Sequence, residues 1–368
     1  MDLFNSEESR DELGLGAVRD ALSDLMFPGT STIQTRFRYM LFVPWIYGIA
    51  GAQTGTAAAR QDYARALEIR LIEALLRGGE DTGVIGSAAR ERLKRLPSDV
   101  YWAGLLTLGI RRFQGSRNAC LEASPSEAQA LWAAGLPRPP NGFLMSDDYA
   151  TSFALTVEEA DFLRDRLVAT APDSLFTRLA RLGGTTDCSM IWLHPDRGSW
   201  PDDLQRIVTH AERVSGLMHG ASLLYNLMLS ERAAAMQGTA ASSWHERAVT
   251  YSRRLAAWRK DIPAMHLENW SLEDLWLLAR RTVHNVNPRT CRFVQEWRAV
   301  VLRAGGHVGE DEEARHLIQA REQSLKGIKS RFRNDGALAR WSGASGTEPL
   351  SFRWPVAASH LKDLADAG

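Results

Sequence analysis

Clusters of basic side chains are the residues of this sequence whose type and spacing best suit a binding chemistry. Arginine can hold a phosphate or a carboxylate through two parallel hydrogen bonds, whereas lysine acts as a point charge. Of the 44 basic residues five are lysine, so 39 are arginine. The candidate nucleic-acid-binding residues in these clusters are Arg36, Arg38, Arg111, Arg112, Arg117, Lys326, Lys329, Arg331 and Arg333.

The strongest cluster lies near the C-terminus. Residues 315–340 contain seven basic and two acidic residues, a net charge of +5, with Phe332 among them and Trp341 directly after them. Basic residues can contact phosphates while aromatic rings stack on bases, so this pattern favours nucleic-acid binding. The alternative is a solvated helix face balanced by the acidic run 310–313. The arginine-rich composition also fits a GC-rich genome, and the total net charge of zero excludes only a globally basic protein.

The sequence contains no complete motif for nucleotide binding or nucleophilic catalysis. A phosphate-binding P-loop needs a Gly-Lys pair, and the sequence contains none. The nearest approach to a nucleophile elbow, residues 343–347, lacks the final glycine. We therefore expect no catalytic residue, no metal and no cofactor.

A metal-dependent nuclease with an unfamiliar site is the enzymatic alternative. Its ligands would come from Asp187, Asp196 and Asp202 together with His194, and Cys188 lies in the same region. Their spacing matches no zinc module, so the ordinary interpretation is a buried cysteine and two surface histidines, His194 and His210.

Cysteine usage and hydropathy indicate the compartment. The three cysteines, Cys120, Cys188 and Cys291, are far apart and form no CxxC pair, which fits a reducing cytoplasm. The most apolar run, residues 39–50, is shorter than the roughly 20 residues of a membrane-spanning helix. We expect a cytoplasmic protein that has no membrane partner.

The hydrophobic periodicity predicts a mainly α fold with minor β structure. Helices are expected over 57–77 and from about 202 to 236, and Ser31 with Gln34 has the spacing of a capping box that opens a buried helix through Arg36 and Arg38. Glycines 216 and 220 on the long helix are expected to allow close packing of another helix. Short strands are expected at 190–193 and 351–354.

Composition also predicts a domain organisation. Residues 1–120 form an N-terminal helical unit whose short helices and following basic segment resemble a winged helix–turn–helix in outline. The Pro/Gly-rich stretch 121–150 is a linker, 151–310 a central helical domain, and 311–368 a basic helix followed by a short strand and a helix.

The N-terminal block carries a family resemblance. Residues 11–47, above all Gly14-Leu15-Gly16-Ala17-Val18-Arg19-Asp20 and the run 27–36, resemble the signature of a bacterial family of uncharacterised proteins. The resemblance returns at 217–226, 324–327 and 352–355, and so covers essentially the whole chain. It implies no catalytic residues, but it implies a setting among helicases, methylases and nucleases in antiphage defence islands.

Three hypotheses for function follow. The first is a non-enzymatic nucleic-acid-binding or adaptor subunit of a bacterial antiphage defence system, whose partners are DNA and a helicase, methylase or nuclease. The second is the metal-dependent nuclease. The third is a structural scaffold that holds a helicase or methylase through an exposed apolar groove.

Overall fold

The computed structural model describes residues 11–88, 93, 95–183, 186–236 and 241–367, and this part of the chain is mainly α-helical. Within it no sheet forms, and the β structure consists of one antiparallel bridge between Arg111 and Trp132. In chain order the helices are α1 (Gly16–Met26), α2 (Tyr39–Gly51), α3 (Ala57–Arg77), α4 (Pro97–Thr107), α5 (Arg117–Glu122), α6 (Pro125–Ala128), α7 (Val157–Thr170), α8 (Leu175–Leu182), α9 (Asp202–Met236), α10 (Ala241–Asp261), α11 (Leu272–Ala279), α12 (Pro288–Arg303), α13 (Glu312–Lys326), α14 (Asp335–Ala339) and α15 (Trp354–Ala365).

The helices belong to two compact units. Among the described residues, the first unit comprises those up to 23 together with those from 195 to 352, and the second comprises those from 24 to 194 together with those after 352. Each unit therefore joins segments that are distant in sequence, whereas the composition had indicated four consecutive segments. The outline of a winged helix–turn–helix in the N-terminal region stays a prediction.

Helix α2 lies at the centre of the second unit, as its nearly continuous apolar sequence predicts. All but two of its residues are buried, and the helix continues to Gly51 although Pro44 removes one backbone donor. Its aromatic side chains pack on other elements of the unit: the ring centroids of Tyr39 and Tyr101 are 5.1 Å apart, and those of Phe42 and Phe143 are 6.0 Å apart. The packing of these buried side chains compensates for the missing hydrogen bond.

Helix α9 forms the centre of the first unit, and α10 packs along it. The prediction that its glycines allow close packing is confirmed. A Cβ atom on Gly220 would lie 2.2 Å from the Trp258 ring, and the Trp258 indole N–H donates to the Gly216 carbonyl at 2.7 Å. Only a residue without a side chain admits the indole at this depth.

Helices α12 and α13 form an antiparallel hairpin in the first unit. At one end of the hairpin the Arg303 guanidinium contacts Asp311 at 2.8 Å and Glu313 at 3.0 Å. Near the other end the Arg321 guanidinium donates to the Thr290 hydroxyl at 2.8 Å. These contacts place the N-terminus of α12 beside the C-terminus of α13.

Three local predictions were wrong: two strands and the start of one helix. Residues 191–193 form a 3₁₀ turn, and α15 begins at Trp354, so neither segment expected to be a strand is one. The helix expected from the capping-box spacing begins at Tyr39 instead. The Gln34 carboxamide does accept from the Ser31 amide at 3.3 Å, but tertiary partners bind the next amides: the Tyr101 hydroxyl accepts from Thr35, and Asp363 accepts from Phe37.

No helix in the described part of the chain is long and apolar enough to cross a membrane.

Candidate nucleic-acid interface

Two of the predicted binding residues, Arg36 and Arg38, have partners inside the second unit. The Arg36 Nε donates to the Asp363 carboxylate at 2.8 Å, and its guanidinium lies over the Phe153 ring at 4.8 Å. Arg38 is buried and contacts Glu159 at 2.7 Å. Both guanidinium groups are neutralised by carboxylates, so the structure explains them as tertiary links.

Arg111 and Arg117 are also held within the second unit. Arg111 is 4% exposed, and its guanidinium donates to the carbonyl oxygens of Phe113 at 2.7 Å and Gly115 at 2.9 Å. Burial lowers the pKa of Arg111, and no carboxylate contributes to that shift. Arg117 is half-buried and contacts the Asp99 carboxylate at 2.5 Å.

Lys326 and Arg331 meet at one carboxylate in the first unit. Glu12 forms ion pairs with the Lys326 ammonium group and, at 2.9 Å, with the Arg331 guanidinium. Burial raises the pKa of Glu12, but the hydrogen bonds and charges of the two cations outweigh burial, so the pKa is lowered overall. Arg331 also donates to the Tyr225 hydroxyl at 2.8 Å. This cluster locks the N-terminal segment onto α9 and α13.

Lys329 and Arg333 differ from these six residues because they are exposed. Among the ion pairs found in the described residues, none involves either side chain. Ile328, immediately before Lys329, is 86% exposed. Arg112 is likewise exposed, in the second unit.

A further group of exposed arginines was not among the binding residues predicted from the sequence. Arg280 and Arg281 follow α11, and Arg289 and Arg292 lie in the first turns of α12; all four are exposed and the described chain offers none of them an ion pair. Residues 275–295 contain these four arginines and no acidic residue. A search of the sequence for segments that contain arginine but no Asp or Glu would have identified this segment.

The hairpin of α12 and α13 brings the two exposed groups to the same end. Arg280, Arg281, Arg289 and Arg292 lie at or before the start of α12, and Lys329 and Arg333 follow the end of α13. The packing of Arg321 against Thr290 and over the Phe293 ring, at 5.0 Å, joins those two helix ends. We call this surface the basic end; its six residues are Arg280, Arg281, Arg289, Arg292, Lys329 and Arg333.

Local electrostatics at the basic end favour an anion. A helix carries a partial positive charge at its N-terminus, which acidic residues in the first turn usually balance. The first turn of α12 has no acidic residue, and Arg289 adds positive charge there. Glu296, one turn after Arg292, is exposed and is not paired with it in the described structure. The arrangement costs the free helix stability and leaves the positive potential available to a ligand.

Comparison with known protein families accounts for the resemblance of the N-terminal block. The model of a family of unknown function, DUF6361, matches residues 1–368. The chain belongs to this family. The comparison with curated proteins found no match, and neither did the comparison with solved structures. Membership in DUF6361 therefore confirms the resemblance to an uncharacterised family and assigns no function to the chain.

The residues of the nuclease alternative were also located in this DUF6361 protein. Asp187 is exposed, and the carbonyl of Cys188 accepts from the Trp354 indole at 2.8 Å. His194 and His210 are both buried, so the expectation that they lie at the surface was wrong; the His194 ring centroid is 6.4 Å from that of Trp354. Among the described residues no group of three or more His, Cys, Asp or Glu side chains is arranged to hold a metal ion.

Proposed function

We propose that this protein binds nucleic acid through the phosphate backbone, using the basic end of the first unit. The observation that carries the proposal is that six exposed cations, none paired with a carboxylate among the described residues, lie in the segments that adjoin one end of a helix hairpin. Phosphate groups are the anions that such a surface contacts in series, and arginine is the side chain best suited to them.

Exposed apolar side chains support the same assignment. Val283 in the α11–α12 connection is 93% exposed, and Ile328 after α13 is 86% exposed. Aliphatic side chains beside phosphate-binding cations can contact sugars and base edges or insert between base steps. The six residues with tertiary partners take no part in this proposal, since their charges are satisfied within the fold, and Arg112 belongs to the other unit.

Fluorescence anisotropy with a fluorescein-labelled 30-base-pair duplex and the corresponding single strand tests the proposal. Affinity should fall steeply between 25 and 200 mM NaCl, because bound cations release condensed counterions. Six phosphate contacts predict a slope of log K against log salt of about −5 for the duplex and about −4 for the single strand. The variant R289E/R292E/K329E/R333E should abolish binding.

The matched control is Arg206→Ala. Arg206 is an exposed arginine of the same unit, but it is paired with Asp203 at 3.1 Å, so its removal should leave the slope unchanged. Absence of binding at 25 mM NaCl, or an unchanged slope in the fourfold variant with its circular dichroism spectrum intact, would reject the proposal.

The bacterial antiphage-defence setting, with a helicase, methylase or nuclease as partner, is part of the proposal and rests on the resemblance of the N-terminal block. Phage plating on cells that carry the gene with its neighbours tests it. Deletion of the gene should raise plating efficiency at least tenfold. K329E/R333E should do the same if nucleic-acid binding serves defence, whereas equal plating with and without the gene would remove the defence setting.

A further inference from the structure

A groove of about 840 Å³ opens on the second unit, separate in residues from the basic end. One wall is formed by α2 and its C-cap residue Ala52, along which Pro44, Gly48 and Ala52 recur every four residues. The facing wall comes from the segment between α6 and residue 139 and includes Ala134 and Gly135. The spacing of four residues explains why these side chains line the same wall, because residues four apart lie on one side of a helix.

The groove is open because its walls carry small side chains. A Cβ atom on Gly48 would meet nothing within 4 Å, and Ala52, Ala134 and Gly135 are exposed. The floor is fixed by a buried indole, since the Trp45 N–H donates to the Pro137 carbonyl at 2.7 Å. A groove held open in this way needs no rearrangement before it binds a partner, which lowers the entropic cost of binding.

Charge at the rim indicates the occupant. Arg112 and Arg138 both line the groove and are exposed, and no Asp or Glu appears among its described lining residues. No ion pair in the described chain involves either guanidinium. An apolar groove with cations at the rim complements apolar side chains flanked by carboxylates.

The same geometry argues against a nucleic acid in this groove. Single strands bind to exposed aromatic faces, but Trp45 is 3% exposed and Trp132 is 6% exposed, so neither ring offers a stacking surface. Two cations are also few for a backbone that carries one phosphate per nucleotide.

We infer that this groove docks a segment of a partner protein in which apolar residues alternate with or adjoin Asp and Glu. The apolar side chains occupy the space between α2 and the facing segment, and the carboxylates pair with Arg112 and Arg138. The protein then has two separate cationic binding surfaces, one for a polyanion and one for an acidic peptide that also carries apolar side chains.

Selection of a random 16-residue peptide library on the immobilised full chain tests this inference. Enriched peptides should combine apolar residues with Asp or Glu. A fluorescein-labelled copy of the dominant peptide should bind at least tenfold more weakly to R112E/R138E and to Gly48→Trp, which fills the groove. Tryptophan is more favourable than glycine within a helix, so Gly48→Trp should fold.

Two controls separate the inference from the proposed function. Arg181→Glu changes an exposed arginine of the same unit outside the groove and should leave peptide binding unchanged, as should K329E/R333E. Enrichment of basic or wholly apolar peptides, or undiminished binding to both groove variants, would overturn the inference. Displacement of the peptide by a 20-nucleotide single strand from K329E/R333E would assign the groove to nucleic acid and overturn it equally.

Discussion

At the scale of single residues, an arginine in this protein is defined by the carboxylate or carbonyl that faces it. Arg38 and Arg289 are residues of the same type, so the sequence alone does not distinguish their roles. Arg38 is buried against Glu159, whereas Arg289 is exposed without a carboxylate partner in the described structure. Only the second kind can neutralise a phosphate without first breaking a tertiary contact.

Buried titratable groups determine how stability responds to pH. His360 is fully buried, neither ring nitrogen has a hydrogen-bond partner, and the ring stacks on Phe37 at 4.7 Å. Burial, assisted by the charge of Arg36, lowers the pKa of His360 from 6.5 to about 3. The folded protein therefore holds this imidazole neutral over a range in which the unfolded chain protonates it.

The first prediction concerns His360→Leu. Since the unfolded state binds the proton below pH 6.5 and the folded state does not, the free energy of unfolding should fall as the pH drops from 6.5 towards 3. Urea unfolding at pH 7 and pH 5 should show that the wild type loses about 2 kcal/mol more than His360→Leu over this interval. The exposed His316 gives a control, His316→Leu, that should keep the wild-type pH dependence. Equal losses in the wild type and His360→Leu would contradict this account of the buried ring.

At the scale of elements, α12 combines good helix signals with a charge pattern that weakens it. Its N-cap Asn287 accepts from the Arg289 amide at 2.8 Å, and Pro288 occupies the first helical position. Its first turn then carries arginine where helix electrostatics favour Asp or Glu. An unfavourable charge at an exposed position, without a compensating contact among the described residues, is typical of a functional site.

The second prediction is that Arg289→Glu separates stability from binding. A carboxylate at this position should raise the free energy of unfolding by roughly 0.3 to 1 kcal/mol, because it complements the helix N-terminus. The same change should weaken binding to the labelled duplex at least tenfold and make the salt slope shallower by about 1 or 2. Urea titration and fluorescence anisotropy on one preparation measure both effects; a variant that is less stable and binds as tightly as the wild type would refute the argument.

At the scale of the whole molecule, the net charge of zero conceals a separation of charge along one hairpin. The basic end lies at the start of α12 and beyond the end of α13, while residues 310–313 at the opposite end are all acidic. Helix α13 has 15 residues, which corresponds to about 22 Å between the two ends. This distance exceeds the Debye length of about 8 Å at physiological ionic strength, so each end acts on its surroundings separately.

The third prediction follows from this separation. Glu310→Lys combined with Glu312→Lys raises the net charge by four at two exposed positions of the acidic end. At 150 mM NaCl the affinity for duplex DNA should change less than about threefold and the salt slope should stay the same, because these side chains lie beyond the screening distance. A gain in affinity comparable to the loss in K329E/R333E would show that total charge, and not the basic end, governs binding.

Local sequence patterns determined much of the helical framework. The apolar run of residues 39–50 indicated a helix buried on all sides, the spacing of leucines in 57–77 indicated α3, and two glycines indicated close packing on α9. These features depend on residues a few positions apart, which share a helix face or a backbone conformation. The same patterns could not reveal that Tyr101 and Asp363 accept hydrogen bonds from the amides of Thr35 and Phe37. Because of these contacts α2 begins at Tyr39 and not nearer to Gln34.

Only the tertiary structure shows which residues belong to the candidate interface. The sequence identified Lys326, Lys329, Arg331 and Arg333 as one cluster. In the structure Glu12, more than 300 positions away, pairs with Lys326 and Arg331. Lys329 and Arg333 remain exposed. The hairpin then adds Arg289 and its neighbours from another segment. A sequence shows which side chains carry charge; only the fold decides which of those charges meet an opposite charge and which remain for a ligand.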